Sequence, residues 1–157
     1  MAPGSPPVRS FPEAIACAVR GFRHASRTQR HFRAQLLIAA GALFFAAWAG
    51  VSTVELAVLA VTVAVVLGAE LLNTAVEMLT DLLHPDRGPA AAGVKDVSAA
   101  AVLIAAGLAA AVGLLVLVPR VIELSPPTVR GIPLVLGVLC LLILVAGALR
   151  ARSPSRL

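Results

Sequence analysis

The sequence is short of charge, of lysine and of cysteine, and each shortage excludes something. Only 13% of its 157 residues are charged and 59% are hydrophobic, where an ordinary soluble domain carries about 25% charged residues. With a mean hydropathy of +0.95, a soluble fold is excluded in favour of a small integral membrane protein whose apolar segments face lipid and one another. The 2 cysteines, Cys17 in an arginine-rich segment and Cys140 in an apolar run, read as free thiols with neither a disulfide nor a metal site. His84, beside Pro85 and without a second His or Cys nearby, argues against zinc. Among 13 basic residues the single lysine is Lys95. Lysine and arginine are not equivalent as phosphate ligands, so an ammonium kept at one place, beside Asp96, marks a candidate site.

What is present is a series of apolar runs separated by short polar ones. Residues 1–10, rich in Pro, Gly and Ser, read as a disordered tail. Over 11–33, Phe11, Ile15, Ala18, Val19 and Phe22 recur at helical spacing while Arg20, Arg23, Arg27, Arg30 and Arg33 occupy the rest of the surface. This pattern predicts an amphipathic helix lying in the membrane interface, arginines toward anionic headgroups. Spans are expected at about 34–52, 54–76 and 97–118, with a fourth at 131–149, since a crossing takes about 20 apolar residues. Ala47-Trp48-Ala49 has the form of a signal cleavage site, but the leader is too long and too arginine-rich for one. Trp48 instead reads as an anchor in the far interface. The third span is rich in Ala and Gly, including Gly107 and Gly113, and is expected to be packed among other helices. The fold class is therefore all-α: a surface helix and a multi-pass bundle.

The most informative stretch is 70–81, Glu-Leu-Leu-Asn-Thr-Ala-Val-Glu-Met-Leu-Thr-Asp, which follows the uncharged run 56–69. On a helix Glu70, Asn73, Thr74, Glu77 and Asp81 fall on one stripe. These groups could simply be the polar end of a spanning helix, but a carboxylate as deep as Glu70 is costly without a partner, a cation or a water-filled site. Two carboxylates about two turns apart suit one group that accepts a proton and one that holds a divalent metal.

Charge bias sets the orientation. The net charge of +5 would suggest nucleic acid in a soluble protein; here the arginines flank spans, and no nucleic-acid partner is expected. Basic residues crowd the N-terminal segment, recur at Arg87 and Lys95, and return at Arg150, Arg152 and Arg156. None lies between the first two spans, and only Arg120 and Arg130 lie between the last two. Four crossings put all three richer segments in the cytoplasm, with both termini, and bring the 70–81 stripe, Lys95 and Asp96 to the cytoplasmic interface.

At these residues the sequence resembles the prokaryotic diacylglycerol kinase and undecaprenol kinase family, small trimeric membrane enzymes. The resemblance is carried by Glu70-Leu-Leu-Asn73-Thr-Ala-Val-Glu77, Asp81, Lys95-Asp96 and the Ala-rich run from Ser98, with Arg20-Gly21-Phe22-Arg23 and Thr28-Gln29-Arg30-His31-Phe32-Arg33 upstream, and it covers about 11–118. It implies an ATP-dependent kinase of a membrane alcohol, diacylglycerol first and undecaprenol as the alternative, in the bacterial inner membrane, with Mg2+ accompanying ATP. Glu70 would be the proton acceptor, helped by Asn73 and Asp81. Glu77 would bind metal, and Glu77, Asp86, Arg87, Gly88, Lys95 and Asp96 would contact the nucleotide. Arg23 and Trp48 would join Glu70 at the lipid. Two departures stand out. Gln29 occupies the place of a second metal-binding glutamate, and a neutral amide is a poorer magnesium ligand. Residues 119–157, with the span at 131–149, are additional to the family pattern.

Two other classes remain open on the residues alone. A proton-coupled four-span transporter would also carry a membrane carboxylate such as Glu70, but leaves Lys95-Asp96 without a task. A scaffold without chemistry predicts that Glu70→Gln is silent.

Overall fold

The polar and apolar halves of the N-terminal region part at Gln29. The computed structural model describes residues 10–86 and 88–125; Arg87, Cys140, the tail 1–9 and the span expected at 131–149 lie outside the described residues. The helix expected over 11–33 stops early: α1 is Phe11–Thr28 and α2 is Arg30–Trp48, with Gln29 extended between them (φ −98°, ψ 110°). The reason is that the two segments need different surroundings. α1 is apolar on one stripe only and suits an interface, whereas α2 is apolar around most of its circumference and suits hydrocarbon. One straight helix cannot serve both.

The corner between them is fastened. Phe32 is fully buried and meets Phe22 edge-to-face, ring centroids 5.3 Å apart, over a buried Ala25. Arg33 Nη1 donates to the Arg27 carbonyl at 2.9 Å, satisfying an acceptor in the last turn of α1 where positive charge is favoured. Phe11, Ile15 and Val19 stay exposed, the bare apolar stripe that an interfacial helix offers to lipid.

α2 ends in a tight turn. Gly50 takes the left-handed conformation (φ 68°), Gly50 N–H donates to the Ala47 carbonyl and Val51 N–H to that of Ala46, a Schellman closure that favours glycine at this position. Ser52 then caps α3 (Thr53–Leu83): its hydroxyl accepts from Glu55 N–H at 3.2 Å while its own N–H donates to Glu55 Oε2 at 2.7 Å.

α3 and α4 (Pro89–Leu124) form an antiparallel hairpin, its two arms tied at successive levels: Asp81 to Lys95 nearest the turn, Asn73 to Ser98 further along, Glu55 to Arg120 at the far end. Both helices outrun the spans expected for them. At 1.5 Å per residue the 31 residues of α3 reach about 46 Å and the 36 of α4 about 54 Å, against a hydrocarbon core of about 30 Å. Hydropathy ends a span where charge begins, but backbone hydrogen bonding does not end there, and the cross-links hold the overhanging turns together. The loop expected from 119 is likewise helical to Leu124, with Pro119 inside the helix. Proline removes one intrahelical hydrogen bond, and Arg120, bonded to both Glu123 and Glu55, secures the turn beyond it.

Three helices, α2, α3 and α4, are long and apolar enough to cross a membrane, and the protein is an all-helical, multi-pass membrane protein. Among the described residues α4 is covered on one side only. Only Ala91 and Ala105 of α4 are buried, and a methyl group added at Gly93, Gly107 or Gly113 would meet nothing within 4 Å. The covered side of α4 is the one packed on α3.

Candidate functional site

Leu59, Thr62, Val66, Glu70 and Thr74 recur at intervals of three and four and form the buried face of α3. The threonine hydroxyls on this helix donate to carbonyls one turn back, Thr62 to Val58, Thr74 to Glu70 and Thr80 to Val76, so they need no outside partner. Glu70 differs. Its residue is 7% exposed, yet its carboxylate accepts no hydrogen bond from the described residues. An acidic group held this way has its full accepting capacity available for an incoming hydroxyl.

One turn on, Asn73 Nδ2 donates to Glu77 Oε1 at 2.9 Å, and Asn73 Oδ1 accepts from the Ser98 hydroxyl at 2.6 Å. Ser98 also reaches the Lys95 carbonyl at 2.9 Å. One turn further, Lys95 Nζ forms an ion pair with Asp81 at 2.6 Å, both side chains partly exposed. The stripe read from the sequence therefore survives as a graded surface: Glu70 and Thr74 buried, Asn73 and Glu77 half-buried, Asp81 exposed. Lys95 and Asp96 are adjacent but point about 100° apart on α4; Lys95 turns to α3 while Asp96 is exposed. Asp86 is exposed in the 84–88 connection, and Gly88 is the N-cap of α4. Arg87 lies outside the described residues.

The remaining sequence candidates are elsewhere. Gln29 is half-buried at the α1–α2 corner. Arg23 is exposed on α1, where its carbonyl accepts from Ser26. Trp48 is not brought to Glu70. It ends α2, is 68% exposed and stacks at a tilt on Phe45. Thr53 and Glu70, seventeen positions apart, separate that end from the carboxylate by about 26 Å along α3. The two are kept apart along α3 because α2 ends where α3 begins.

Among the described residues no three His, Cys, Asp or Glu side chains gather into a metal cage. That donor set fits Mg2+, which keeps several waters and is commonly bound by one or two carboxylates plus substrate phosphates. Glu77 would offer such a carboxylate: its Oε1 accepts from Asn73 Nδ2, and no hydrogen bond to Oε2 is made by the described residues. The end of the hairpin bearing Glu70, Glu77, Asp81, Asp86 and Asp96 is otherwise acidic, with Lys95 its cation among the described residues. Such a surface repels a bare polyphosphate and accepts one already paired with a divalent ion.

Sequence reasoning missed the partners. Ser98 marks only the start of an Ala-rich run there, and the pairing of Asp81 with Lys95 is not anticipated. A hydroxyl three residues after Lys95, on the same helix face, was the available signal.

Comparison with known proteins places the sequence in a family. The sequence model of a family described as prokaryotic diacylglycerol kinase matches residues 16–117. Undecaprenol kinase of Bacillus subtilis (strain 168) is 30% identical over 110 residues, which cover 70% of this chain and 89% of that protein.

Proposed function

Because the chain belongs to the prokaryotic diacylglycerol kinase family and is a membrane lipid kinase, we propose that it transfers the γ-phosphoryl group of ATP to a membrane alcohol at the cytoplasmic interface, with Glu70 as general base. The observation that carries this reading is the carboxylate of Glu70, a residue only 7% exposed and without a hydrogen-bonding partner among the described residues, two helical turns from the half-buried Glu77 on the same helix. Glu70 takes the proton of the lipid hydroxyl as its oxygen attacks the γ-phosphorus; the bond to the bridging oxygen breaks, and ADP leaves with the electron pair. Phosphoryl transfer asks for alignment and charge neutralisation more than covalent chemistry. Mg2+, when bound, neutralises phosphate charge. Glu77 holds that ion from α3, Lys95 exchanges Asp81 for a phosphate oxygen, and Asp86, Gly88 and Asp96, with Arg87, border the nucleotide. Gln29, a neutral amide at the corner, contributes little to the metal.

The acceptor in this proposal is diacylglycerol, giving phosphatidic acid. A second reading, undecaprenol, is favoured by the substrate named for the Bacillus subtilis relative. The distribution of arginine supports placement in the bacterial inner membrane with the N-terminus in the cytoplasm, and with the C-terminus there too if the apolar run expected at 131–149 crosses. The open small-residue surface of α4 around Gly107 and Gly113 supports a homotrimer, since such surfaces let helices from other copies approach closely.

The test is transfer of radiolabelled γ-phosphate from ATP, with magnesium, to diacylglycerol and separately to undecaprenol in mixed micelles, by wild type and Glu70→Gln. Label in one lipid, lost in the variant, is expected and names the substrate. Label retained in the variant removes Glu70 from the role of base.

A further inference from the structure

We propose that Ser98 is a positioning residue for metal binding: through Asn73 it fixes the carboxylate of Glu77 so that one oxygen is held and the other is presented to the cation. The proposal rests on the kinase reading, with Glu77 as metal ligand.

The geometry leaves little freedom. A carboxylate only accepts, so the Asn73 amide must turn its nitrogen to Glu77 Oε1, 2.9 Å away, and its carbonyl oxygen to the other side. There it meets the Ser98 hydroxyl at 2.6 Å, from the neighbouring helix. That hydroxyl has a single proton and two acceptors within reach, Asn73 Oδ1 and, at 2.9 Å, the Lys95 carbonyl. It is therefore the point where the Lys95 turn of α4 is joined to the Glu77 turn of α3. Asn73 alone, on a side chain with two rotatable bonds, could swing away from Glu77; held from across the hairpin it cannot. The same link keeps Lys95, whose side chain pairs with Asp81, at a constant level relative to Glu77. A cation at Glu77 and a phosphate at Lys95 would then be presented in register. Hydrogen-bonded supports of this kind orient metal ligands and tune their affinity.

The experiment uses the full chain in detergent micelles, Mn2+ as the probe ion and a non-hydrolysable ATP analogue, with bound Mn2+ read by electron paramagnetic resonance. Ser98→Ala is expected to weaken Mn2+ binding about fivefold, within the range one hydrogen bond supports, and Ser98→Thr, which keeps the hydroxyl, to return it to within about twofold of wild type. Glu77→Gln should weaken it by about tenfold or more. In turnover, Ser98→Ala raises the metal concentration needed for half-maximal rate by the same factor and leaves the rate at saturating metal nearly unchanged. Alanine suits this Ala-rich helix. If Ser98→Ala nonetheless loses helicity, Ser98→Cys, of similar size and a weak donor, takes its place and must bind between wild type and Glu77→Gln. Wild-type affinity in Ser98→Ala, with binding weakened in Glu77→Gln, overturns the role of Ser98 alone. Wild-type affinity in Glu77→Gln overturns the reading of Glu77 as ligand, and the proposal with it.

Discussion

The two ends of the α3–α4 hairpin are both polar, and they are polar in different ways. At the end remote from the 84–88 turn, Ser52 and Glu55 satisfy each other, Arg120 bonds to Glu55 and Glu123, and the charges close on themselves. At the other end the bonds are directed but incomplete. Ser98, Asn73 and Glu77 form a chain whose last oxygen is open, Lys95 is held by one exposed carboxylate, and Glu70 has no partner among the described residues. A closed set of charges stabilises a helix end. An open one is costly to keep without a ligand, and marks where chemistry can occur.

The comparison can be broken or sharpened by substitution. The largest effect is expected from Glu70→Gln, which should slow lipid phosphorylation by about 10²- to 10⁴-fold, the usual contribution of a general base, with ATP binding little changed by equilibrium dialysis. Next comes Glu77→Gln, whose loss should fall mainly on Mg-ATP, raising its KM by about tenfold or more; identical kinetic signatures in the two variants would remove the division of roles. At the closed end Arg120→Ala should leave phosphorylation unaltered and lower stability only slightly, as exposed ion pairs do, a change readable as a small drop in melting temperature. Were Arg120→Ala to abolish turnover, the two ends would not differ as described.

The smallest effect is one of pH, at the start of α1. The backbone N–H of Ser10 donates to Glu13 Oε2 at 2.8 Å and holds that carboxyl below the usual carboxylate range. Its contribution is present above the ordinary glutamate pKa and is lost as pH falls through the lowered value. Protection factors of the first-turn amides of α1, taken relative to the intrinsic exchange rate at each pH, should accordingly fall in acid and stay constant around neutrality.

Much of this was legible in the sequence because lipid simplifies the rules. Where no water competes, every spanning segment must be a helix, and the position of Glu70 after an uncharged run speaks for itself. Helix ends were less legible. The stop at Gln29 depends on Phe22 and Phe32 meeting across a corner, and the extension of α3 to Leu83 depends on Asp81 finding Lys95 on another helix. Both are contacts between residues whose approach no periodicity encodes. Ser98 is the same case at the site: its spacing from Lys95 puts it on one face, but only the packing of α4 on α3 shows that Asn73 waits opposite. The small residues of α4 predict close neighbours, and among the described residues only α3 supplies them.

α3 is also a ruler. It is fixed at one end by the Ser52–Glu55 box, and Glu70 stands about 26 Å along it from Thr53, a little less than a typical hydrocarbon thickness of about 30 Å. The depth of that carboxylate is thus set by the bilayer as much as by the protein. A thicker membrane draws it into oil and a thinner one leaves it in water, so the surrounding lipids tune the polarity in which that carboxylate sits.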